Sequence, residues 1–191
     1  MSFDLGERVA ILETSIKYLT EQLEDTHPPS ACAMFVAVGF SGVNKTRRAM
    51  YDECKSKGYE LISYVNSKAI HWGKVELGDN CFVFEANVIQ PFVRIGSNVI
   101  IWSGNHIGHH SRIRDNVFIS SHVVVSGSVD VGENSFLGVN STLVNDITIG
   151  RDTWLGPQVT VTRDVAPGSV YRPPRSELRN ASAYELFGVD G

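Results

Sequence analysis

The chain has 191 residues, of which 17 are Lys or Arg and 21 are Asp or Glu, giving a formal net charge of −4. The basic residues are scattered, so we expect neither a nucleic-acid partner nor binding to an anionic membrane surface. No apolar run approaches the ~20 residues that span a membrane, and acidic residues interrupt the N-terminus, so we expect no membrane insertion and no signal peptide. Three widely spaced cysteines argue against a disulfide framework and favour a cytoplasmic location.

The first part of the chain predicts a small α/β domain over residues 1–68. Apolar residues recur at helical spacing across 12–24, and a second helix is predicted over 43–57. Short apolar runs at 35–38 and 59–65 predict two strands that flank the second helix. This order is typical of a parallel strand–helix–strand unit.

The middle of the chain carries an uninterrupted six-residue repeat of aliphatic residues. An α-helix cannot place these residues on one face, because six residues rotate by about 600°, about 120° from a whole number of turns. Short strands joined by corners fit the period, with about eighteen residues forming one triangular coil whose aliphatic side chains point inward. The repeated positions are Leu77, Val83, Ile89, Ile95, Ile101, Ile107, Ile113, Ile119, Val125, Val131, Leu137, Leu143, Ile149, Leu155 and Val161.

The repeat predicts a mainly β fold, in which a parallel β-helix of hexapeptide repeats follows the small α/β domain. Residues 69–165 give about five coils, and each coil covers the strand edges of the next. Residues 166–191 are predicted to form a C-terminal tail, with a Pro-rich exit and a short helix at 181–187.

Four of the six histidines, His106, His109, His110 and His122, lie in one short stretch. Neither His106 nor His109 occupies an inward position of a coil. Because a coil contains about eighteen residues, His109 and Gly127 should stack on adjacent coils of one face. An imidazole beside an open backbone N–H suits acyl transfer, since the acceptor must lose a proton and the oxyanion needs a fixed donor.

Other interpretations of these residues stay open. A surface histidine is commonly just a solvated side chain, and a corner glycine commonly serves backbone geometry. Neutral imidazoles are also zinc ligands, and hexapeptide-repeat carbonic anhydrases bind zinc through three histidines between subunits, so a zinc-dependent hydratase is one alternative. A trimeric scaffold without catalysis is another. The loop from Gly39 to Gly42 precedes a predicted helix and could hold a phosphate on its backbone amides.

Residues 89–143 resemble a known family. The stretch reads IQPFVRIGSNVIIWSGNHIGHHSRI and, five residues later, FISSHVVVSGSVDVGENSFLGVNSTL. It is similar to bacterial sugar acyltransferases of the sialic-acid O-acetyltransferase-like and nucleotide-amino-sugar N-acetyltransferase family. The resemblance runs from about Met34 to Val161. It implies a left-handed β-helix, a homotrimer, and acetyl-CoA as co-substrate without a metal.

The resemblance also implies roles for particular residues. His109 matches the catalytic base of the family, and Gly127 matches the glycine whose N–H faces the thioester carbonyl. His110 stands where many members have an acidic residue, and we expect it to act with His109 in catalysis. The coenzyme is expected in a groove between subunits, on Ser126, Gly127, Gly138 and Gly156. The sugar is expected on Asn105, His106 and Gly39.

The function implied is transfer of an acetyl group from acetyl-CoA to an amino or hydroxyl group of a sugar, in bacterial surface-glycan biosynthesis. We expect the sugar to be nucleotide-linked and the acceptor to attack directly, without a covalent enzyme intermediate. Full-length relatives open with a glycine-rich loop that helps hold the nucleotide, and no such loop precedes Met34. Residues 1–68 are therefore expected to form a partial nucleotide-sugar-binding domain.

Overall fold

The computed structural model describes residues 27–73, 75–173, 178 and 180–189. Its main feature is three parallel sheets of two-residue strands, with seven, six and five strands. Sheet 1 contains β1 (Tyr64–Val65), β4 (Phe82–Val83), β7 (Ile100–Ile101), β10 (Phe118–Ile119), β13 (Phe136–Leu137), β16 (Trp154–Leu155) and β18 (Val170–Tyr171). Sheet 2 contains β2 (Ile70–His71), β5 (Val88–Ile89), β8 (His106–Ile107), β11 (Val124–Val125), β14 (Thr142–Leu143) and β17 (Thr160–Val161). Sheet 3 contains β3 (Glu76–Leu77), β6 (Arg94–Ile95), β9 (Arg112–Ile113), β12 (Asp130–Val131) and β15 (Thr148–Ile149).

The chain passes through sheets 1, 2 and 3 in turn, so each coil contributes one strand to each sheet. Phe118, for example, pairs with Ile100 on the preceding coil and with Phe136 on the following coil. The sheets form a triangular prism, whose corners we call 1–2, 2–3 and 3–1 after the sheets that they join. This confirms the predicted mainly β, parallel β-helix fold, and its left-handed sense stays a prediction. The paired strands extend from Tyr64 to Tyr171, beyond the predicted span of 69–165 at both ends.

The repeated aliphatic residues form the interior of the prism. Each is the second residue of its strand, from Leu77 in β3 to Val161 in β17, and all but the half-buried Leu77 are buried. Full burial of one such side chain stabilises a fold by ~1.5–3 kcal/mol. The predicted six-residue core repeat is therefore confirmed.

The corners place many non-glycine residues in the left-handed backbone region. Asn and Asp tolerate this conformation best, and at corner 3–1 the side chains of Asn80, Asn98 and Asn116 form a ladder of 2.7 Å hydrogen bonds. A bulky residue at such a position carries backbone strain. The corner residues with positive φ are Asn80, Ala86, Phe92, Asn98, His110, Asn116, His122, Ser128, Asn134, Asn140, Asp146, Asp152 and Gln158.

The N-terminal unit contains helix α1 (Lys45–Ser56), within the predicted range of 43–57. The helix begins two residues later than predicted, because Val43 and Asn44 have left-handed φ angles of 52° and 65°. Gly58, with a φ of 84°, follows the helix and donates its N–H to the carbonyl of Lys55.

The two predicted N-terminal strands are shorter than expected. In place of a strand at 35–38 there is one parallel bridge, between Met34 and Leu61. The N–H of Val36 instead donates to Oδ1 of Asn80 on the prism, at 2.7 Å, and is thereby withdrawn from strand pairing. Within 59–65 only Tyr64 and Val65 form a strand, β1, which joins sheet 1.

Arg47 attaches α1 to the prism. Its side chain is fully buried, and its guanidinium donates to the carbonyl oxygens of Asn98, Asn116 (2.8 Å) and Val117. It also lies 5.8 Å from the centre of the Phe118 ring. Burial lowers the pKa of Arg47 to about 10. Carbonyl dipoles from two coils compensate this buried cation, and no carboxylate in the described part of the chain pairs with it.

The C-terminal helix α2 (Ala183–Phe187) lies within the predicted range of 181–187. Ser182 and Glu185 form a capping box at its start. The helix predicted over 12–24 lies outside the described residues. Of the helices that are described, none combines the length and the hydropathy needed to traverse a bilayer. The division into 1–68, 69–165 and 166–191 stays a prediction.

Candidate functional site

His109 and Gly127 lie on adjacent coils at corner 2–3, as the period predicts. A Cβ atom built on Gly127 would lie 2.7 Å from Cε1 and 2.8 Å from Nε2 of His109. Only glycine therefore leaves room for the imidazole over the next coil. The N–H of Ser128 donates to the carbonyl of His109 at 2.8 Å and holds the two coils in register.

The backbone N–H of Gly127 is available to a ligand. Gly127 is half-buried, and its carbonyl accepts from the N–H of Asp146 at 3.1 Å. Within the described ranges, its N–H donates to no protein acceptor. An unused amide beside an imidazole can stabilise negative charge that develops on a bound carbonyl oxygen.

His109 and His110 form a hydrogen-bonded pair. Their Nδ1 atoms are 3.1 Å apart, and their rings are nearly perpendicular, at 85°. The backbone N–H of His109 donates to Oε1 of Gln90 at 2.9 Å, and the ring of His110 packs 4.7 Å from that of Phe92. No protein group described in the structure bonds Nε2 of His109, so this nitrogen can exchange a proton with a ligand.

Gln90 and Phe92 were missed in the sequence analysis. Phe92 precedes His110 by one coil, so the eighteen-residue period would have found it. Gln90 is one position out of register with His109, and its contact depends on the reach of its side chain, which the period does not report.

The predicted coenzyme-binding residues lie at two different corners. Ser126 and Gly127 lie together at corner 2–3, whereas Gly138 and Gly156 lie at corner 1–2. A Cβ atom on Gly138 would approach the carbonyl carbon of Gly156 to 2.6 Å, so the absence of a side chain there lets the coils stack. One chain therefore does not bring all four residues to one ligand.

Asn105, predicted to contact the sugar, is buried in this chain. The residue is 1% exposed, and its Oδ1 accepts from the N–H of Val123 at 2.6 Å while its amide donates to the carbonyl of Trp102. These bonds commit Asn105 to the interior of the prism. His106, by contrast, is half-buried on the outer face of sheet 2.

Gly39 lies beside sheet 1, where its carbonyl accepts from Nη1 of Arg47 at 3.1 Å. Sheet 1 is the side of the triangle opposite corner 2–3, so a single chain does not bring Gly39 to His109. Gly39 instead borders a cavity of about 200 Å³, lined by Phe35, Ala37, Val38, Phe82, Phe84, Ile100, Trp102 and Phe118. The cavity is apolar, and such cavities commonly hold the flat or apolar part of a ligand.

The other histidines are separated from the pair. His122 lies at corner 1–2, where its ring covers Gly104 on the preceding coil, and His106 lies on sheet 2. Across residues 27–73, 75–173, 178 and 180–189, no three His, Cys, Asp or Glu side chains are grouped so that they could hold a metal ion.

Comparisons with known proteins give the following matches. Residues 128–163 match a family model described as the hexapeptide repeat of succinyl-transferase. PerB from Caulobacter crescentus, solved with CoA and GDP-perosamine, is 26% identical and has a TM-score of 0.69, covering 78% of this chain and 69% of its own. The acetyltransferase domain of PglB from Neisseria gonorrhoeae, solved with acetyl coenzyme A, is 22% identical and has a TM-score of 0.73, covering 78% and 71%. WeeI from Acinetobacter baumannii is 16% identical and has a TM-score of 0.63, covering 66% and 62%.

A comparison with curated protein sequences gave no match. Two of the structural neighbours are acetyltransferases by name: a perosamine N-acetyltransferase from Caulobacter crescentus, solved with CoA and GDP-perosamine, and the PglB domain, solved with acetyl coenzyme A. The chain thus has the β-helix fold of these proteins and a segment that matches a hexapeptide-repeat model, which confirms the predicted resemblance and supports its assignment as an acyltransferase.

Proposed function

We propose that this chain transfers an acetyl group from acetyl-CoA to an amino group of a nucleotide-linked sugar, with His109 as general base. The observation that carries the proposal is the placement of the His109 imidazole directly over Gly127, whose backbone N–H is unused. Acyl transfer needs a base and an oxyanion donor at one point, and the proximity of His109 and Gly127 at corner 2–3 supports these two roles.

The reaction runs in one direct displacement. The acceptor amine attacks the thioester carbonyl carbon, a C–N bond forms, and Nε2 of His109 takes a proton from the amine. The N–H of Gly127 donates to the oxyanion that forms on the carbonyl oxygen. The C–S bond then breaks, and the proton held by His109 neutralises the departing coenzyme A thiolate. A hydroxyl acceptor would follow the same steps.

The substrates are proposed to bind between two subunits of a homotrimer. Within one chain, corner 2–3 lies opposite the Gly39 cavity and apart from Gly138 and Gly156. A neighbouring chain that presents its corner 1–2 and its cavity to corner 2–3 would bring all three regions to one cleft. The isolated chain is then expected to be inactive.

The nature of the acceptor is proposed from similarity. PerB, at 26% identity, was solved with CoA and GDP-perosamine, an amino sugar on a nucleotide. We infer an acceptor of this class, acting in the synthesis of a bacterial surface glycan. The described thiols of Cys32, Cys54 and Cys81 are all free, which supports the reducing cytoplasm as the location.

The test is a thiol-release assay with acetyl-CoA and a panel of nucleotide-linked amino sugars. His109→Asn is expected to lower kcat by ~10²–10⁴-fold, the usual contribution of a general base. His71→Asn is the matched control, because it removes an exposed imidazole on β2, two coils before the coil of His109, and it should retain activity.

Three results would contradict the proposal. Full activity of His109→Asn, in an oligomer of unchanged mass, would remove His109 from the mechanism. Failure of the wild-type chain to bind acetyl-CoA in calorimetry would favour a scaffold. A bound zinc ion, together with hydratase activity that does not depend on coenzyme A, would favour the zinc-dependent hydratase.

A further inference from the structure

His110 occupies a left-handed corner position. Its φ is +60°, close to the 57–61° of six corner positions that hold Asn or Asp. Histidine, like Asn and Asp, is among the residues found most often in this region, so its backbone is ordinary for a corner. What sets His110 apart is the contact of its ring with the ring of His109.

The ring of His110 contacts rings on two coils. Its backbone N–H donates to the carbonyl of Pro91 at 3.2 Å, and its ring lies 4.7 Å from that of Phe92 on the preceding coil. Its Nδ1 lies 3.1 Å from Nδ1 of His109.

We propose that His110 is a positioning residue that acts through His109, by accepting a hydrogen bond from Nδ1–H of His109 on its own neutral Nδ1. This inference rests on the proposed function. An Nδ1–Nδ1 contact requires one donor and one acceptor, so it sets the tautomer of both rings. With His109 as donor, its Nε2 carries a lone pair, and this is the nitrogen beside Gly127. With the roles reversed, Nε2 would carry a hydrogen and could not act as base.

The pair gives the site a particular response to acid. A proton added at Nε2 of His109 occupies the base directly. A proton added at Nδ1 of His110 turns the acceptor into a donor, so His109 must place its own hydrogen on Nε2. Either proton therefore stops catalysis.

Charged groups next to the pair lie on sheet 3. Glu76, Arg94 and Arg112 line the same surface pocket as His110, and Glu76 is ion-paired with Arg94 at 3.1 Å. Arg112, the other cation of this pocket, makes no ion pair among the described residues.

Substitutions of His110 can separate this role from others. Oδ1 of Asn or Asp takes the place of Nδ1, since both atoms are bonded to Cγ, and both residues suit the left-handed backbone. Gln moves its acceptor one atom further out, and Ala removes it. Asn and Gln are therefore matched amides that differ in the position of the acceptor.

The experiment measures kcat, KM and the pH profile of kcat/KM for His110→Asn, His110→Asp, His110→Gln and His110→Ala. His110→Asn should keep most of the wild-type kcat. His110→Gln and His110→Ala should lose ~10–10²-fold in kcat with little change in KM, comparable with the loss of a partner that orients a metal-bound histidine. In His110→Asp the acidic limb should move to higher pH, because a carboxylate stabilises the imidazolium form of His109.

A second readout does not depend on turnover. In ¹⁵N-labelled protein, NMR should show a protonated Nδ1 and a bare Nε2 on His109 in the wild type and in His110→Asn, and a mixture of tautomers in His110→Ala. If this pattern appears in a chain that transfers no acetyl group, the proposed function fails and the pairing stands. A protonated Nε2 in the wild type, or equal losses of kcat in His110→Asn and His110→Ala, would overturn the inference.

Discussion

The contact between His109 and Gly127 leads to a sharp prediction for Gly127→Ala. The added Cβ would lie 2.7 Å from Cε1 of His109, whereas ordinary contact begins at 3.4 Å. The imidazole must therefore move by at least about 0.7 Å. A displacement of about 1 Å at a reacting group commonly lowers the rate by ~10²-fold, equivalent to ~2.7 kcal/mol in the activation free energy.

The substitution isolates the position of the base from the other parts of the site. Alanine keeps the backbone N–H of residue 127, and the φ of Gly127 is not in the left-handed region, so the backbone accepts the new side chain. The imidazole is exposed and can move into solvent without creating a cavity. We expect the melting temperature to change little while kcat falls.

The assay compares kcat for thiol release in the wild type, Gly127→Ala, His109→Asn and the double variant. Because both single changes disable the same base, the double variant should be no slower than His109→Asn. A Gly127→Ala protein with wild-type kcat would refute the reasoning, since the crowded imidazole would then have no part in the reaction. Multiplicative losses in the double variant would equally show that the two residues act independently.

Two further predictions concern stability. Arg47→Met should destabilise the fold by ~2–4 kcal/mol, because the buried carbonyl groups that accept from the guanidinium lose their donor. Arg48→Met removes an exposed ion pair and should change the stability little. Thermal and urea unfolding of the two variants test this difference. Burial, aided by a hydrogen bond to Asp79, raises the pKa of Tyr51 from 10.0 to about 12. Its stabilising effect is thus complete below pH 10 and is lost as the pH rises towards 12, so melting temperatures measured over this range should fall less steeply in Tyr51→Phe.

The repeat was predictable because it is local in the chain. Every coil must supply an inward aliphatic residue at the same phase, so the pattern from Leu77 to Val161 records the burial directly. The same period stacked His109 on Gly127 correctly, because residues one coil apart share a column. The six-residue repeat would also have placed Asn105 inside, since this residue has the same position in the repeat as the buried Val99 and Val117.

The N-terminal unit was less predictable, because its backbone partners lie on the prism. Apolar residues at 35–38 fit a strand, yet the amide of Val36 bonds the side chain of Asn80, 44 residues away. A local pattern reports which side chains prefer burial. It does not report which distant group will receive a backbone hydrogen bond.

The sequence alone determined the stacked coils, their inward residues and the column that joins His109 to Gly127, because a regular period converts position in the chain into position in space. Only the tertiary structure placed Gly39 on the side of the prism away from His109 and showed Arg47 buried against two coils. The acceptors of Arg47 on the prism are backbone carbonyls, which every residue possesses, so no pattern of side chains in the sequence could predict them.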